Sequence, residues 1–277
     1  MTNLNNYNKN VHSQNGEDGI IEEILNRLGS SLDKTCCEFG AWDGIYLSNV
    51  CNLVKNRKYK CLYIEADKKK FAELEQNFPE KDVINVNKLV SFEGKNTLDQ
   101  ILTENNFNLD FDLLSIDIDG NDYHILASLK KYCPKIIIIE FNPTMPNELE
   151  FIQEKNIRLN HGSSALSIFK LAKEKNYSLA AATEVNLIFV HNTFVQKVVD
   201  NKELKIEDVV IDERYKNFIF SGFDGKIFTS KKIKLPWHKM HVKELKILPN
   251  FFQKLPYNFN SLEKILFKLY KLLINKK

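Results

Sequence analysis

The sequence lacks the features that mark several special classes of protein. Its 39 basic and 36 acidic side chains leave a net charge of only +3, so no domain-wide field for nucleic acid is expected. It has no internal repeat and no low-complexity segment. With 43% hydrophobic and 27% charged residues, it has an ordinary globular composition, which excludes disordered, fibrous and multi-span membrane proteins. A length of 277 residues fits one mid-sized α/β domain with an appendage.

Signals for export and for metal-binding cysteine pairs are also missing. The polar start MTNLNNYNKN has no apolar stretch of the kind a signal peptide needs, and no run of ~18 apolar residues follows, so we expect a cytoplasmic protein. The odd number of cysteines without C-x-x-C spacing predicts reduced core residues and makes a zinc site improbable. These cysteines are Cys36, Cys37, Cys51, Cys61 and Cys133.

Strand and helix patterns alternate along the first half of the chain. Residues 18–28 carry apolar side chains at helical spacing, with acids early and Arg27 late, which predicts a helix. Near-continuous apolar runs predict strands in TCCEF, KCLYIEAD, DVINVNKLV, FDLLSIDIDG and KIIIIEF, each of the first four followed by a helical pattern. Such strands are buried on both faces, so the fold class is α/β, a Rossmann-like doubly wound, mostly parallel sheet.

The rest of the chain changes character. SALSIFKLAKEKNY predicts a helix, and SLAAATEVNLIFVHN predicts a final strand or pair of strands. Beyond residue 200 come short β-like pieces rich in Lys, Phe and Ile, so we predict a domain of residues 1–200 and an extension of residues 201–277. The last stretch, SLEKILFKLYKLLINKK, predicts a basic amphipathic helix that includes Lys276 and Lys277.

Ligands of a parallel sheet bind at the carboxyl ends of the strands, near the switch in strand order. The first such loop reads E-x-G-x-x-x-G rather than the G-x-G-x-x-G that cradles a pyrophosphate. Its acids, Glu38 and Asp43, would repel a diphosphate but not a cationic ligand. Glu65 stands where a carboxylate accepts both ribose hydroxyls of an adenosine, although a solvated loop acid is the alternative. Together these residues favour a nucleoside with a cationic tail over NAD.

The succession EFGAWDG, LYIEAD, LLSIDIDGNDY, IIIIEFNP, GSSALSIFKLAKEKNY and VNLIFV resembles the FkbM-type branch of class I S-adenosylmethionine-dependent methyltransferases. The resemblance covers roughly residues 10–192, and SQNGEDGII also resembles a segment before strand one of such proteins. It implies a seven-stranded sheet, a cofactor over Gly40 and Glu65, and an acceptor hydroxyl that is often on a sugar or polyketide. Two departures are Glu38, where Asp is more usual, and D-I-D-G, where many relatives have D-V-E-G.

The segment D-I-D-G-N-D carries information about mechanism. Asp117 and Asp119 alternate along an apolar strand, where a buried carboxylate without a partner is costly. With Glu140 and Asn142 at the end of the next strand, hard oxygen ligands could meet and bind Mg²⁺, Mn²⁺ or Ca²⁺. The alternative is that one Asp caps the following helix while another binds the amino group of the cofactor.

Methyl transfer to a hydroxyl needs an aligned acceptor and a base, a metal, or both. The predicted catalytic residues are Asp117, Asp119 and His161, although His161 could also be a surface loop histidine. His124 lies in a helical pattern and is interpreted as a helix-face residue. Before the first helix, polar residues could cap it or fold over the cofactor. The full set of predicted cofactor contacts is Ser13, Gln14, Glu38, Gly40, Ala41, Asp43, Glu65, Ala66, Lys88 and Asp117.

The sequence thus predicts an S-adenosylmethionine-dependent O-methyltransferase acting on a nucleotide-linked sugar or a surface-polysaccharide unit, with Mg²⁺ or Mn²⁺ as a second cofactor. The alternatives are an NAD(P)-dependent sugar dehydrogenase or epimerase and a non-catalytic membrane-associated binding module. No nucleic-acid partner is expected. The terminal helix could lie on an anionic membrane surface, which would suit a lipid-linked acceptor, or pack on its own domain or a second subunit.

Overall fold

The computed structural model describes residues 3–79, 81–199, 204–210, 217–242 and 245–274. The chain divides into two compact units, Met1–Tyr215 and Lys216–Lys277. The predicted domain boundary, between residues 200 and 201, lies outside the described residues. Each unit is described below by itself.

The first unit is built on a seven-stranded sheet with the order β3-β2-β1-β4-β5-β7-β6. Its strands are β1 (Thr35–Phe39), β2 (Lys60–Glu65), β3 (Val83–Asn87), β4 (Leu113–Ile116), β5 (Ile136–Glu140), β6 (Tyr177–Ala182) and β7 (Asn186–His191). Strands β1 to β5 pair in parallel, whereas β7 runs antiparallel to both β5 and β6. The strand order reverses between β1 and β4, so ligands are expected at that point of the carboxyl edge.

Helices cover both faces of this sheet. They are α1 (Glu17–Leu28), α2 (Cys51–Arg57), α3 (Lys68–Asn77), α4 (Leu98–Glu104), α5 (Asp122–Ser128), α6 (Ala165–Glu174), α7 (Val195–Val198) and α8 (Ile206–Val209). Successive residues of a strand point to opposite faces, and Cys36 and Cys37 of β1 accordingly belong to two different hydrophobic clusters. The predicted doubly wound α/β sheet is therefore confirmed, and the final segment of the sheet is a pair of antiparallel strands.

The prediction of core cysteines is confirmed for four of the five. Cys36, Cys37, Cys51 and Cys61 are buried and unpaired. The prediction is wrong for Cys133, which is exposed because it lies in the loop between α5 and β5 rather than in an element of the sheet.

The second unit contains two small antiparallel strand pairs and a long helix. The strands are β8 (Ile219–Ser221) with β9 (Ile227–Thr229), and β10 (Lys234–Leu235) with β11 (Met240–His241). The helix α9 spans Ser261–Ile274, and the predicted helical residues Lys276 and Lys277 lie outside the described part of the chain. Among the described residues, no helix combines the length and apolarity needed to cross a bilayer.

Candidate active site

The loop after β1 lies directly against the end of β4. Gly40 has a φ of +72°, and a Cβ atom added there would overlap the carbonyl oxygen of Asp117. The N–H of Ala41 donates to the carbonyl oxygen of Ile64 at 3.2 Å, which ties the same loop to β2. The ends of β1, β2 and β4 therefore converge where the strand order reverses, and only glycine fits at this point.

Glu65, the last residue of β2, is fixed between two loops rather than solvated. One carboxylate oxygen accepts the N–H of Trp42 at 2.7 Å, and the other accepts the N–H of Asp67 at 2.6 Å. The side chain is 8% exposed. Its carboxylate thus has a defined position beside the Gly40 loop, as a group that binds a ligand diol requires.

Glu38 turns from the end of β1 toward the start of α2. Its carboxylate accepts the hydroxyl of Ser48 at 2.5 Å and the N–H of Asn49 at 2.9 Å. Burial raises the pKa of Glu38 to about 7, although both hydrogen bonds favour the charged form. Sequence reasoning missed Ser48 and Asn49 as its partners. The Ser-Asn pair before a helical pattern was the available signal, since such residues favour helix starts.

We expect Glu38 to make the stability of the protein depend on pH. Because its pKa rises from 4.5 to about 7 on folding, its contribution to the free energy of unfolding is full below pH 4.5 and is lost as the pH rises through 7. The total difference is about 3 kcal/mol. Urea unfolding from about pH 5.5 to about pH 8 should therefore show a flatter pH dependence for Glu38→Gln than for the unchanged protein. If the free energy of unfolding changes with pH equally in both proteins, Glu38 is not the group responsible.

Three carboxylates meet where β4 and β5 end, next to the point at which the strand order reverses. Asp117, Asp119 and Glu140 each offer an oxygen, and these oxygens all lie within 4.8 Å of one another. Asp117 and Glu140 share a side-chain hydrogen bond. Burial, with added repulsion from neighbouring carboxylates, raises the pKa of Asp117 well above its usual range and that of Glu140 to about 10. Without a cation, this pair therefore holds a proton at neutral pH.

A fourth acid, Asp122, shapes the loop that presents this cluster. Its carboxylate accepts the N–H groups of Ile118 at 2.9 Å and Gly120 at 2.8 Å. Burial raises the pKa of Asp122 to about 6. Asp119, inside this loop, is exposed and has a φ of +57°, a conformation that costs energy for a residue other than glycine. The loop thus holds Asp119 in a defined, strained position beside the half-buried carboxylates of Asp117 and Glu140.

Asn142 and His161 lie near the end of β5 but face other partners. The side-chain oxygen of Asn142 accepts the N–H of Thr144 at 2.9 Å and its hydroxyl at 2.6 Å. Its side-chain nitrogen donates to the carbonyl oxygen of His161 at 2.7 Å. The side chain of His161 is exposed, and the backbone N–H of His161 donates to the side-chain oxygen of Gln153 at 2.7 Å. The backbone of His161, and not its side chain, therefore makes the contacts that hold this residue near the end of β5.

Gln153 is a buried organising residue that sequence reasoning missed. Besides His161, its side-chain oxygen accepts the N–H of Gly162 at 3.0 Å, and its carbonyl oxygen pairs with the ring of His124 at 2.6 Å. His124 is buried, so it lies on the inner face of α5. No local pattern marks Gln153, because its partners come from distant segments.

The remaining predicted cofactor contacts have partners within the protein. Ser13 and Asp18 hydrogen-bond reciprocally at the start of α1, with the hydroxyl of Ser13 donating at 2.8 Å. Asp43 accepts the N–H groups of Ile45 and Tyr46 within its own loop. Lys88 forms an ion pair with Glu104 at 2.5 Å. The carbonyl oxygen of Ala66 accepts a hydrogen bond from the side-chain nitrogen of Asn87 at 3.3 Å. The side chain of Gln14 is exposed.

A mostly parallel sheet of this order, with an antiparallel β7 and a glycine loop at the switch point, defines the fold of class I S-adenosylmethionine-dependent methyltransferases. Within this class, residues 94–179 match the family model described as "Methyltransferase FkbM domain", which confirms the resemblance noted from sequence. The matched segment contains Asp117, Asp119 and Glu140.

Several solved methyltransferases are similar to this chain at low identity. A TehB-like enzyme from Corynebacterium glutamicum is 13% identical over 62% of this chain and 86% of its own, with a TM-score of 0.39. One from Aquifex aeolicus is 14% identical over 61% and 87%, with a TM-score of 0.35. The glycopeptide N-methyltransferase MtfA, complexed with S-adenosylhomocysteine, is 10% identical over 68% and 95%, with a TM-score of 0.38. No curated protein matches the chain.

Proposed function

We propose that the protein is an S-adenosylmethionine-dependent O-methyltransferase that methylates a hydroxyl of a sugar. The observation that carries the proposal is the pair Asp117 and Glu140, a hydrogen-bonded pair of carboxylates with raised pKa values beside the Gly40 loop. A neutral hydroxyl is a poor nucleophile, and a carboxylate with a raised pKa is a stronger base than an ordinary one. The pair shares one proton at neutral pH, and the negative charge that remains on it is therefore suited to accept the hydroxyl proton.

The residues present fit the cofactor. Only glycine at position 40 lets the loop after β1 lie against the end of β4, and the carboxylate of Glu65, held beside that loop, can accept the ribose hydroxyls. The surrounding acids favour a sulfonium cation. The cofactor supplies an electrophilic methyl group on a good leaving group, so the protein has to align the acceptor and remove its proton. When bound, the cofactor would give its methyl group from sulfur to the acceptor oxygen and leave as the thioether, while Asp117 and Glu140 would take up the hydroxyl proton.

Replacing Glu65 with alanine should weaken binding of S-adenosylhomocysteine. Loss of hydrogen bonds to a charged group costs about 1.5–3 kcal/mol each, so the Kd should rise about tenfold or more. Calorimetric titration measures this directly. Glu75→Ala, at an exposed position of α3, is the matched control and should leave the Kd unchanged. Equal affinity of both variants would refute the ribose assignment.

The acceptor class can be tested with purified full-length protein. The protein is incubated with S-adenosylmethionine and separate panels of sugars, catechols and amines, and S-adenosylhomocysteine formation is measured. We expect product with sugars. Turnover of amines or catechols alone would contradict the proposal while leaving the methyltransferase fold in place.

We further propose that a divalent cation assists the reaction, as the oxygens of Asp117, Asp119 and Glu140 are hard donors in reach of one another. A bound Mg²⁺ or Mn²⁺ would lower the pKa of a coordinated hydroxyl. Asn142 is not needed for this set, since its oxygen accepts two hydrogen bonds from Thr144. Exhaustive chelation should abolish turnover, spare S-adenosylhomocysteine binding, and be reversed by Mg²⁺. Full activity after chelation would contradict the role of the cation, and Asp117 and Glu140 would then accept the proton without a metal.

We also propose that α9 binds an anionic lipid surface. Its leucine and isoleucine side chains are exposed, from 42% at Leu266 to 74% at Leu273, and Lys264, Lys268 and Lys271 supply positive charge on the same helix. The full chain should co-sediment with phosphatidylglycerol vesicles but not with phosphatidylcholine vesicles, and Leu269→Glu should abolish this. Absence of vesicle binding, with a dimer by light scattering, would assign the helix to self-association instead.

A further inference from the structure

The hairpin formed by β8 and β9 in the second unit leaves its apolar side chains exposed. Phe223, in the turn, is 94% exposed, and Phe218 and Ile219 are each 64% exposed. Phe220 and Phe228 are exposed as well, at 54% and 44%. From these side chains we infer that the tip of the hairpin inserts into an anionic lipid surface. The inference adds a second contact to the one proposed for α9 and does not depend on the methyl-transfer reaction.

The hairpin has a defined shape that places Phe223 at its far end. Phe220 of β8 lies opposite Phe228 of β9, and their rings stack with centroids 5.6 Å apart and planes inclined by 18°. Across the turn, the N–H of Gly222 donates to the carbonyl oxygen of Lys226 at 2.8 Å. The paired strands therefore present the ring of Phe223 to whatever the tip meets.

Apolar side chains project from both faces of this hairpin. Successive residues of a strand point to opposite faces, so Ile219 and Phe220 lie on different sides, and both are more than half exposed. A two-stranded hairpin is only marginally stable in water. Packing one face against the rest of the second unit would still leave the other face in water. Insertion of the tip among lipids removes apolar side chains of both faces from water at once.

The charge of the second unit suits an anionic surface. Of the 39 basic and 36 acidic side chains of the chain, 14 basic and only three acidic ones belong to residues 216–277. Lys226, Lys232 and Lys234, on the hairpin and just after it, are exposed. The acid of the turn, Asp224, forms an ion pair with Lys226 at 3.6 Å. Lysines beside exposed phenylalanine and leucine are typical of segments that bind at the interface of an anionic membrane.

The same features argue against two other partners. Two copies of this basic unit would bring like charges together, which disfavours a contact between copies. Single-stranded nucleic acid would match the charge, but it stacks its bases on aromatic rings. The exposed side chains of the second unit also include the aliphatic Ile219, Leu235 and Met240, which offer no ring for a base and suit acyl chains.

The test measures partition onto vesicles. The full chain and Phe223→Ser are sedimented with phosphatidylglycerol vesicles over a series of lipid concentrations. Loss of one inserted phenyl ring should lower the partition coefficient at least about tenfold, which corresponds to about 1.4 kcal/mol. Because Phe223 is almost fully exposed, the substitution should leave the melting temperature unchanged. Leu109→Ser, at an exposed apolar position of the first unit, is the matched control and should bind like the unchanged protein.

A fluorescent reporter at the tip provides a second measurement. Phe223→Trp is made in a chain whose two tryptophans, Trp42 and Trp237, are replaced by phenylalanine, so that its only indole lies in the turn of the hairpin. On phosphatidylglycerol vesicles, the emission of this indole should shift to the blue and be quenched by brominated lipid. A vesicle-bound protein whose indole shows neither change would overturn the inference.

The remaining outcomes separate the two lipid contacts and the other partners. Loss of binding in Leu269→Glu, with unchanged binding in Phe223→Ser, would overturn the inference and leave the contact of α9 standing. Failure of the unchanged chain to bind vesicles would remove both contacts. A dimer that Phe223→Ser dissociates, or binding of a single-stranded oligonucleotide in place of vesicles, would assign the tip to another partner and also overturn the inference. Cofactor binding is measured independently of all these results.

Discussion

Replacing Glu140 with glutamine is expected to lower the rate of methyl transfer by about 10²–10⁴-fold, the range that general base catalysis supplies. Glutamine keeps the shape of the side chain but cannot accept a proton. Burial and three neighbouring carboxylates raise the pKa of Glu140 to about 10, so Asp117 and Glu140 share one proton at neutral pH, and the negative charge that remains on the pair is the base. Binding of S-adenosylhomocysteine should persist, because Glu65 and the Gly40 loop are untouched.

Single-turnover kinetics with saturating acceptor measures the effect on the chemical step. Glu154→Gln, at an exposed position outside the cluster, is the matched control and should retain full activity. A melting curve checks folding, and we expect no loss of stability because glutamine, like the protonated form of Glu140, is neutral and can keep a hydrogen bond to Asp117. If Glu140→Gln turns over at the unchanged rate, the carboxylate pair does not take the proton.

Replacing Gly40 with alanine is expected to lower the free energy of unfolding by about 3 kcal/mol or more. The new methyl group would overlap the backbone carbonyl of Asp117, which cannot move without displacing the end of β4. The positive φ of +72° adds strain. The substitution should also remove cofactor binding in the fraction that folds, since the loop and the strand end could no longer approach.

Gly94→Ala separates the cost of the overlap with Asp117 from the cost of a positive φ. Gly94 also has a positive φ, +76°, but no atom lies within 4 Å of an added Cβ. Its replacement should cost only the strain, about 1–2 kcal/mol. Urea unfolding of both variants gives the comparison. An equal loss for the two would mean that the contact between the Gly40 loop and β4 contributes little.

The sheet was predictable because a strand that is buried on both faces has a near-continuous run of apolar residues. A run such as Ile136–Glu140 can be a strand only where helices cover both sides, and the glycine loop marks its edge. The candidate acids followed from the same logic, as Asp117, Asp119 and Glu140 end neighbouring parallel strands. These predictions need only the spacing of apolar residues and the position of polar residues within single strands and helices.

What could not be predicted is which way a side chain near the end of a strand turns and which partners it meets. Which face of β1 receives α2 decides that Glu38 meets Ser48 and Asn49, and no local pattern specifies that face. Asn142 was predicted as a metal ligand from its place at the end of β5, but the orientation of its amide follows from Thr144 and the segment held by Gln153. The hydrogen bond from the hydroxyl of Thr183 to Glu17 likewise joins residues that are 166 positions apart, so no local pattern predicts it.

If the Gly40 loop and Glu65 form a binding site for a nucleoside with a cationic tail, calorimetric titration of the 277-residue chain should distinguish S-adenosylhomocysteine from NAD. We expect micromolar binding of S-adenosylhomocysteine and no binding of NAD. Binding of NAD alone, or of neither ligand, would contradict it.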